Sequence, residues 1–394
     1  MSEFAIIGKN RNKPFKMAYK VFGEGEEKIL FVMGALSKGK NWSSSVEYFK
    51  RFSKYQICIF DHIGIGESTF SSLSSVYDLA SDTLELLDHL KWDKVNVVGI
   101  SMGASVSYEL SIIAPNRIKT LNLTSFCSNI ENMIFQSGIQ RLLRVQFDSI
   151  LYNIDEPTLI SNLMFSQSYL ESKSQINSIG KNRDYVIPLT AKLANDLKLV
   201  PFKTKLSHLY SLIFYKIKQP YKTKDMLLKR PFPIVMFFGT QDPFIDWKRV
   251  VRTYDRIQPN LIYICKDAGH ALYAEDIKSY NHHTEKFFSF LSSSPSLLPL
   301  PPTSPSLLPL SLSSKKCFKT EFLKQIPLEF NSKTILNDHY CHLNYQKTPL
   351  LETPLFLNSI KNLNNISNNF TNFKSSMFQK VINGLLFTTL KKIK

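Results

Sequence analysis

The stretch Val95-Asn-Val-Val-Gly-Ile-Ser-Met-Gly103 restricts the folds open to this chain more than any other. Val95, Val97 and Val98 are β-branched, stiff at χ1 and suited to a parallel strand buried on both faces. Gly99-Ile100-Ser101-Met102-Gly103 then reads Gly-x-Ser-x-Gly, and residues 104–113 carry apolar side chains at helix-compatible spacing. Strand, sharp turn and helix in that order leave the serine hydroxyl standing clear of the sheet edge. Gly99 and Gly103 are expected where a Cβ would strike the neighbouring strand and helix. The helix N-terminus behind Ser101 offers free N–H groups and a partial positive charge to a developing anion. Gly-x-Ser-x-Gly alone fills many ordinary turns, so the strand before it and the helix after it carry the argument.

Around that stretch, strand and helix alternate. Residues 28–33 and 55–60 are short apolar runs, 77–90 form an amphipathic helix with its acids placed early, and 118–124 read as a further strand. This alternation predicts an α/β fold, a mostly parallel sheet wrapped by helices. Residues 4–7 and 16–22 read as two strands joined by a hairpin connection. From 125 to 230 the alternation stops, and Leu, Ile and Phe recur at helix spacing in 140–151, 158–170 and 191–205, which predicts an inserted helical cap. Strands resume at 233–238 and 260–265, and a last helix is expected over 276–291. The expected core is therefore 1–124 with 231–291.

Beyond the core the composition changes. Ser-Pro-Ser-Leu-Leu-Pro-Leu occurs at 294–300 and again at 304–310, and proline at that density blocks both helix and ladder bonding. Residues 292–314 read as a linker and the Lys- and Asn-rich residues 315–394 as a disordered tail. Within 375–394, Phe378, Val381, Ile382, Leu385, Leu386 and Leu390 fall near one face beside Lys380, Lys391, Lys392 and Lys394. That is the pattern of an interfacial helix able to touch a membrane peripherally; the simpler reading is disorder.

Charge and cysteine usage bound the function. Of the net charge of +17, residues 291–394 hold +8 (twelve Lys against four acids), which leaves +9 for the rest. No cluster of arginines with interleaved aromatics marks a nucleic-acid groove, so no nucleic-acid partner is expected. The five cysteines lack Cys-x-x-Cys spacing and are odd in number, which favours a reducing, cytoplasmic setting. The first residues lack the apolar core of a signal peptide, and no run approaches the ~20 apolar residues of a membrane span.

A serine hydroxyl is a poor nucleophile until a histidine takes its proton and a carboxylate orients that histidine. Asp242, in Gly239-Thr-Gln-Asp-Pro243, follows one predicted strand; His270, in Asp267-Ala-Gly-His-Ala271, follows the next. Both fall at the C-terminal strand edge, on the side of Ser101. Asp246 is a rival acid farther from the strand end, and His62 a rival base that precedes Ser101. The plainer alternatives are a turn aspartate before Pro243 and a surface loop histidine. For the oxyanion, the backbone N–H of Met102 and that of Ala35, just past the Met33-Gly34 turn, are the candidate donors.

Taken together, Met33-Gly34, Asp61-x-x-Gly-x-Gly-x-Ser68, Gly99-x-Ser-x-Gly103, Gly239-x-x-Asp242 and Gly269-His270 resemble the α/β-hydrolase fold superfamily, in its esterase/lipase-like branch with a helical cap. The resemblance covers about residues 1–290. It implies Ser101 as nucleophile, Asp242 as acid, His270 as base, and Ala35 and Met102 as oxyanion donors, with no metal or organic cofactor. It implies a serine hydrolase acting on a carboxylic ester; the alternatives are hydrolysis of a C–C or other non-ester bond, or a catalytically silent ligand-binding module. Met133, Phe135, Met164, Phe165, Tyr169 and Phe214 in the expected cap suit an apolar acyl group, unless they only pack the cap onto the sheet. Two departures stand out. The family usually has His-Gly where this chain has Met33-Gly34, which alters the polar anchoring of that loop, and commonly Arg where Ile63 stands.

Overall fold

The computed structural model describes residues 2–126, 156–174, 180–215, 232–245, 257 and 259–293. Its frame is an eight-stranded sheet in the order β1-β2-β4-β3-β5-β6-β7-β8. The strands are β1 (Glu3–Ile7), β2 (Phe15–Phe22), β3 (Glu27–Val32), β4 (Tyr55–Phe60), β5 (Val95–Ile100), β6 (Ile118–Thr124), β7 (Ile234–Gly239) and β8 (Leu261–Cys265). β2 runs antiparallel to both β1 and β4, and every pairing from β4 to β8 is parallel. The predicted mostly parallel α/β architecture is the one observed.

Burial explains the sequence of the central strands. β5 and β7 are buried at every position, as parallel strands covered on both faces must be. Side chains alternate between two cores: Leu30, Val32, Val95 and Val97 belong to one, Ile29, Phe31, Val98 and Ile100 to the other. The flanking helices close both faces. Those preceding β6 are α1 (Ser43–Phe49), α2 (Val76–His89) and α3 (Met102–Ile113). α2 opens on a capping box in which Ser75 Oγ accepts from the Asp78 N–H and the Asp78 carboxylate accepts from the Ser75 N–H.

Between β6 and β7 the described chain is helical, with bounds that differ from those read off the sequence. The stretch predicted as one helix over 158–170 is two, α4 (Glu156–Met164) and α5 (Gln167–Glu171). The break falls at Ser166, whose hydroxyl caps α5 by accepting from the Tyr169 N–H. The helix predicted over 191–205 starts earlier and also divides, into α6 (Asn182–Leu199) and α7 (Phe202–Phe214). Pro201 divides it, because it lacks an N–H and biases the residue before it away from helical angles. After β8 come a short α8 (Leu272–Glu275) and the expected last helix, α9 (Ile277–Ser293). Ser292 and Ser293, read as the start of the linker, are instead the end of α9; the predicted helix at 140–151, the rest of the linker, the tail with its 375–394 stretch, and Asp246, Met133 and Phe135 lie outside the described residues. Among those described, no helix is long and apolar enough to cross a membrane.

Candidate active site

The C-terminal ends of the parallel strands meet at one edge of the sheet, and the loops after β3, β5, β7 and β8 converge there. Ser101 occupies the bend between β5 and α3 at φ 55°, ψ −122°, a conformation that side chains other than glycine rarely adopt. Three bonds hold it: its N–H donates to the Thr124 carbonyl at 2.9 Å, and its carbonyl accepts from Ala104 and Ser105 at 3.0 and 3.2 Å. The glycines beside it fit tightly. A Cβ on Gly99 would lie 2.4 Å from Ser107 Oγ, and one on Gly103 would lie 2.3 Å from the Val32 carbonyl oxygen. The loop after β3 passes over the serine, so that a Cβ on Gly34 would sit 3.4 Å from Ser101 Cβ and 3.9 Å from its Oγ. Met102 opens α3, where its N–H has no partner within the helix. Among the described residues, neither that N–H nor the Ala35 N–H is spent on a protein acceptor.

Asp242 and His270 are joined. His270 Nδ1 lies 2.8 Å from Asp242 Oδ2, while Asp242 Oδ1 accepts from the Phe244 and Ile245 N–H groups at 2.8 and 3.0 Å. Three bonds on two oxygens fix the plane of the carboxylate. With Nδ1–H donating to Oδ2, the neutral ring keeps Nε2 bare as an acceptor. Phe244 meets the imidazole edge to face at 4.8 Å between centroids. The two loops pack so closely that a Cβ on Gly239 would fall 2.3 Å from the Ala268 carbonyl oxygen. Both side chains are buried, whereas Ser101 is partly exposed. The structure therefore brings Asp242 to His270 and Gly34 to Ser101; among the described residues, Ser101 and His270 share no hydrogen bond.

Several residues that the sequence reading did not select secure these loops. Ser125 Oγ donates to the His270 carbonyl at 3.0 Å, and the Ala271 N–H donates to the Met164 carbonyl at 2.7 Å. Glu275 accepts from the Gly269 N–H at 3.0 Å and from the Ser166 N–H at 2.6 Å, tying the histidine loop to the end of α4. Burial pushes the Glu275 carboxyl up from its ordinary value, and those two N–H groups pull it back. Its sequence signal was an acidic pair, Glu275-Asp276, five positions past His270 and after the apolar Ala271-Leu-Tyr-Ala.

His62, the rival base, pairs with no carboxylate among the described residues: its Nε2–H donates to the Met33 carbonyl at 3.0 Å. At the other end of that loop, the Leu36 N–H donates to Nδ1 of His208 on α7 at 3.0 Å. Burial lowers both imidazoles, His62 to about 4 and His208 to about 3, and the facing His62 ring lowers His208 further. The signal for His208 was a polar stripe, Thr204, Ser207, His208 and Ser211, at helix spacing and fully buried. Among the described residues, no group of three or more His, Cys, Asp or Glu side chains gathers to hold a metal ion.

Residues 28–277, which include Ser101, Asp242 and His270, match the family described as alpha/beta hydrolase fold. The chain belongs to this family. Over 291 residues the hydrolase is 21% identical to an abhydrolase domain-containing protein of Schizosaccharomyces pombe, covering 71% of this chain and 99% of that one. A Mycobacterium tuberculosis protein bearing the name of a non-heme bromoperoxidase is 26% identical over 134 residues, 32% of this chain and 51% of the relative. In that alignment the chain spans about half the length of the relative. The solved structure of an enol-lactonase from Burkholderia xenovorans superposes with a TM-score of 0.56 at 15% identity, covering 73% of this chain and all of the other. At that identity the likeness speaks to the fold alone.

Proposed function

We propose that this α/β hydrolase is a serine hydrolase that cleaves a carboxylic ester. The observation that carries the reading is the setting of Ser101: partly exposed, held at φ 55° at the head of α3, and overlain by Gly34. In the proposed reaction His270 Nε2 takes the Ser101 proton as Oγ attacks the ester carbonyl carbon. The oxyanion is held by the N–H groups of Met102 and Ala35, and each such donor is worth roughly 10²–10³ in rate. Collapse breaks the C–O bond, and His270 passes its proton to the departing alcohol. Water then attacks the acyl group, giving a proton to His270; collapse releases the carboxylic acid and returns that proton to Ser101. Asp242 holds the ring and stabilises the imidazolium in both halves.

A relative from Acinetobacter baylyi, 29% identical over 131 residues, is named as an enol-lactonase, which adds support, since a lactone is a cyclic ester. For the acyl group we propose an apolar one, on Met164, Phe165 and Tyr169 in and between α4 and α5: the Met164 carbonyl bonds the residue after His270, which sets the end of α4 beside the site. The test is fluorophosphonate labelling together with p-nitrophenyl esters of rising acyl length. Wild type should label and turn over, with octanoyl preferred to acetyl in kcat/KM. Ser101→Ala should lose labelling and about 10⁴–10⁶ in rate, and Asp242→Asn about 10⁴. Turnover by Ser101→Ala within tenfold of wild type would sink the proposal. So would a wild-type protein that neither labels nor hydrolyses any ester, which would leave a silent binding module.

A further inference from the structure

We infer that His62 and His208 are positioning residues for the oxyanion loop, one holding its entry and the other its exit. The inference rests on the proposed role of the Ala35 N–H. That N–H lies between two anchored points: the Met33 carbonyl, which accepts from His62 Nε2–H at 3.0 Å, and the Leu36 N–H, which donates to His208 Nδ1 at 3.0 Å. Between those anchors the backbone turns with Leu36 at φ 59°, a conformation a leucine does not hold unaided. Met33 and both histidines are buried, so no bulk water stands ready to replace either bond.

The two rings act with opposite polarity. A carbonyl oxygen can only accept, so His62 must carry its proton on Nε2; a backbone N–H can only donate, so His208 must leave Nδ1 bare. His208 therefore has to be neutral, whereas the His62 bond suits either form of its ring; burial favours the neutral form of both. The rings face each other edge to face at 6.2 Å, which makes a charge on either unfavourable for the other. His208 Nε2 completes no hydrogen bond among the described residues, so the bond to Leu36 is the one its ring makes there.

The two anchors come from separate parts of the chain. His62 follows β4, while His208 sits on α7, 172 positions from Leu36. α7 is seated by two neighbours on the same face: Ser207 Oγ accepts from the Ser74 N–H at 2.9 Å and Ser211 Oγ donates to the Ser74 carbonyl at 2.5 Å. A second link, from Lys38 to Asp196 on α6 at 2.8 Å, joins the same loop to the helices between β6 and β7. The position of Ala35 is thereby set by these helices as well as by the sheet.

Conservative variants test this in the full chain, because an asparagine amide oxygen takes the place of a histidine Nδ1 and a glutamine amide nitrogen that of Nε2. Initial rates on one p-nitrophenyl ester are compared for His208→Leu, His208→Asn, His62→Leu and His62→Gln. The leucine variants should lose about 10–10³-fold in kcat with KM within about threefold, as expected when one oxyanion donor is misplaced. The asparagine and glutamine variants should stay within about fivefold of wild type. The downfield proton resonance of the His270–Asp242 bond should persist in all of them, which separates loop misplacement from general collapse. If a leucine variant does not fold, His208→Gln replaces it, with its amide at the wrong ring position and the same loss expected. Unchanged kcat in the leucine or His208→Gln variants overturns the inference, as does an asparagine or glutamine variant as impaired as its leucine counterpart. A wild type that neither labels with fluorophosphonate nor turns over overturns the ester-hydrolase reading itself, which is a different result.

Discussion

His62 and His208 stay inside the protein by remaining neutral, and that ties stability to pH. Each has an ordinary value of 6.5, which burial lowers to about 4 and about 3. Below 6.5 the unfolded chain binds protons at these rings while the folded chain does not, so stability is lost as pH falls towards the folded values. From pH 7 to pH 5 each ring should cost about 2 kcal/mol. Buried carboxyls at Asp61, Asp82 and Glu275 are raised by burial and act in the opposite sense, so the histidine part is read by difference. Urea unfolding of wild type and of the His62→Gln, His208→Asn double variant at both pH values measures it. The variant should show the shallower acid loss, and equal slopes would refute the account. At this scale the candidates Ser101, Asp242 and His270 could be picked from the sequence because each stands within two residues of a glycine or proline just past an apolar strand run. His208 and Glu275 were not. Their partners, Leu36 and Ser166, lie 172 and 109 positions away, and a local pattern carries no trace of them.

Among the elements, the strands were the readable part, because a strand buried on both faces announces itself as an apolar run whatever lies around it. β3, β4, β5 and β7 all follow that rule. α7 does not: its buried face includes Thr204, Ser207, His208 and Ser211, so apolar spacing could not give its bounds. The crossing of β3 by α3 offers a sharp test of packing. A Cβ on Gly103 would stand 2.3 and 2.5 Å from the Val32 and Met33 carbonyl oxygens, backbone atoms with no rotamer to yield. Gly103→Ala should destabilise the protein by about 1–3 kcal/mol or more. Gly180→Ala is the contrast, since its nearest neighbour would be Asp184 Oδ2 at 3.4 Å. There the smaller backbone freedom of the unfolded chain makes the change neutral or stabilising by up to about 1 kcal/mol. Chemical denaturation of both variants reads the difference, and a Gly103→Ala protein as stable as Gly180→Ala would contradict the close approach.

For the whole molecule, the question is how much of the chain the hydrolase needs. All eight strands, Ser101, Asp242 and His270, and the bonds that hold their loops come from residues up to 293. The last described helix, α9, is anchored on the sheet: Tyr280 bonds Thr124, Thr284 bonds Asn122, and Phe287 and Phe288 enter the core. The remaining 294–394 carry the Ser/Pro/Leu duplication and the lysine-rich end, and none of the described strands and none of the candidate site residues is drawn from them. A chain truncated after Ser293 should therefore keep its kcat/KM and its melting temperature. The lysines at 380, 391, 392 and 394 would each contribute about 1 kcal/mol at an anionic surface, so the same truncation should abolish co-sedimentation with phosphatidylserine-containing vesicles at low salt. Periodicity in 375–394 shows that a helix there would be amphipathic; what such a face would meet is not written in the spacing. Full-length protein left in the supernatant ends the membrane reading, and activity lost on truncation would show that the folded hydrolase extends past α9.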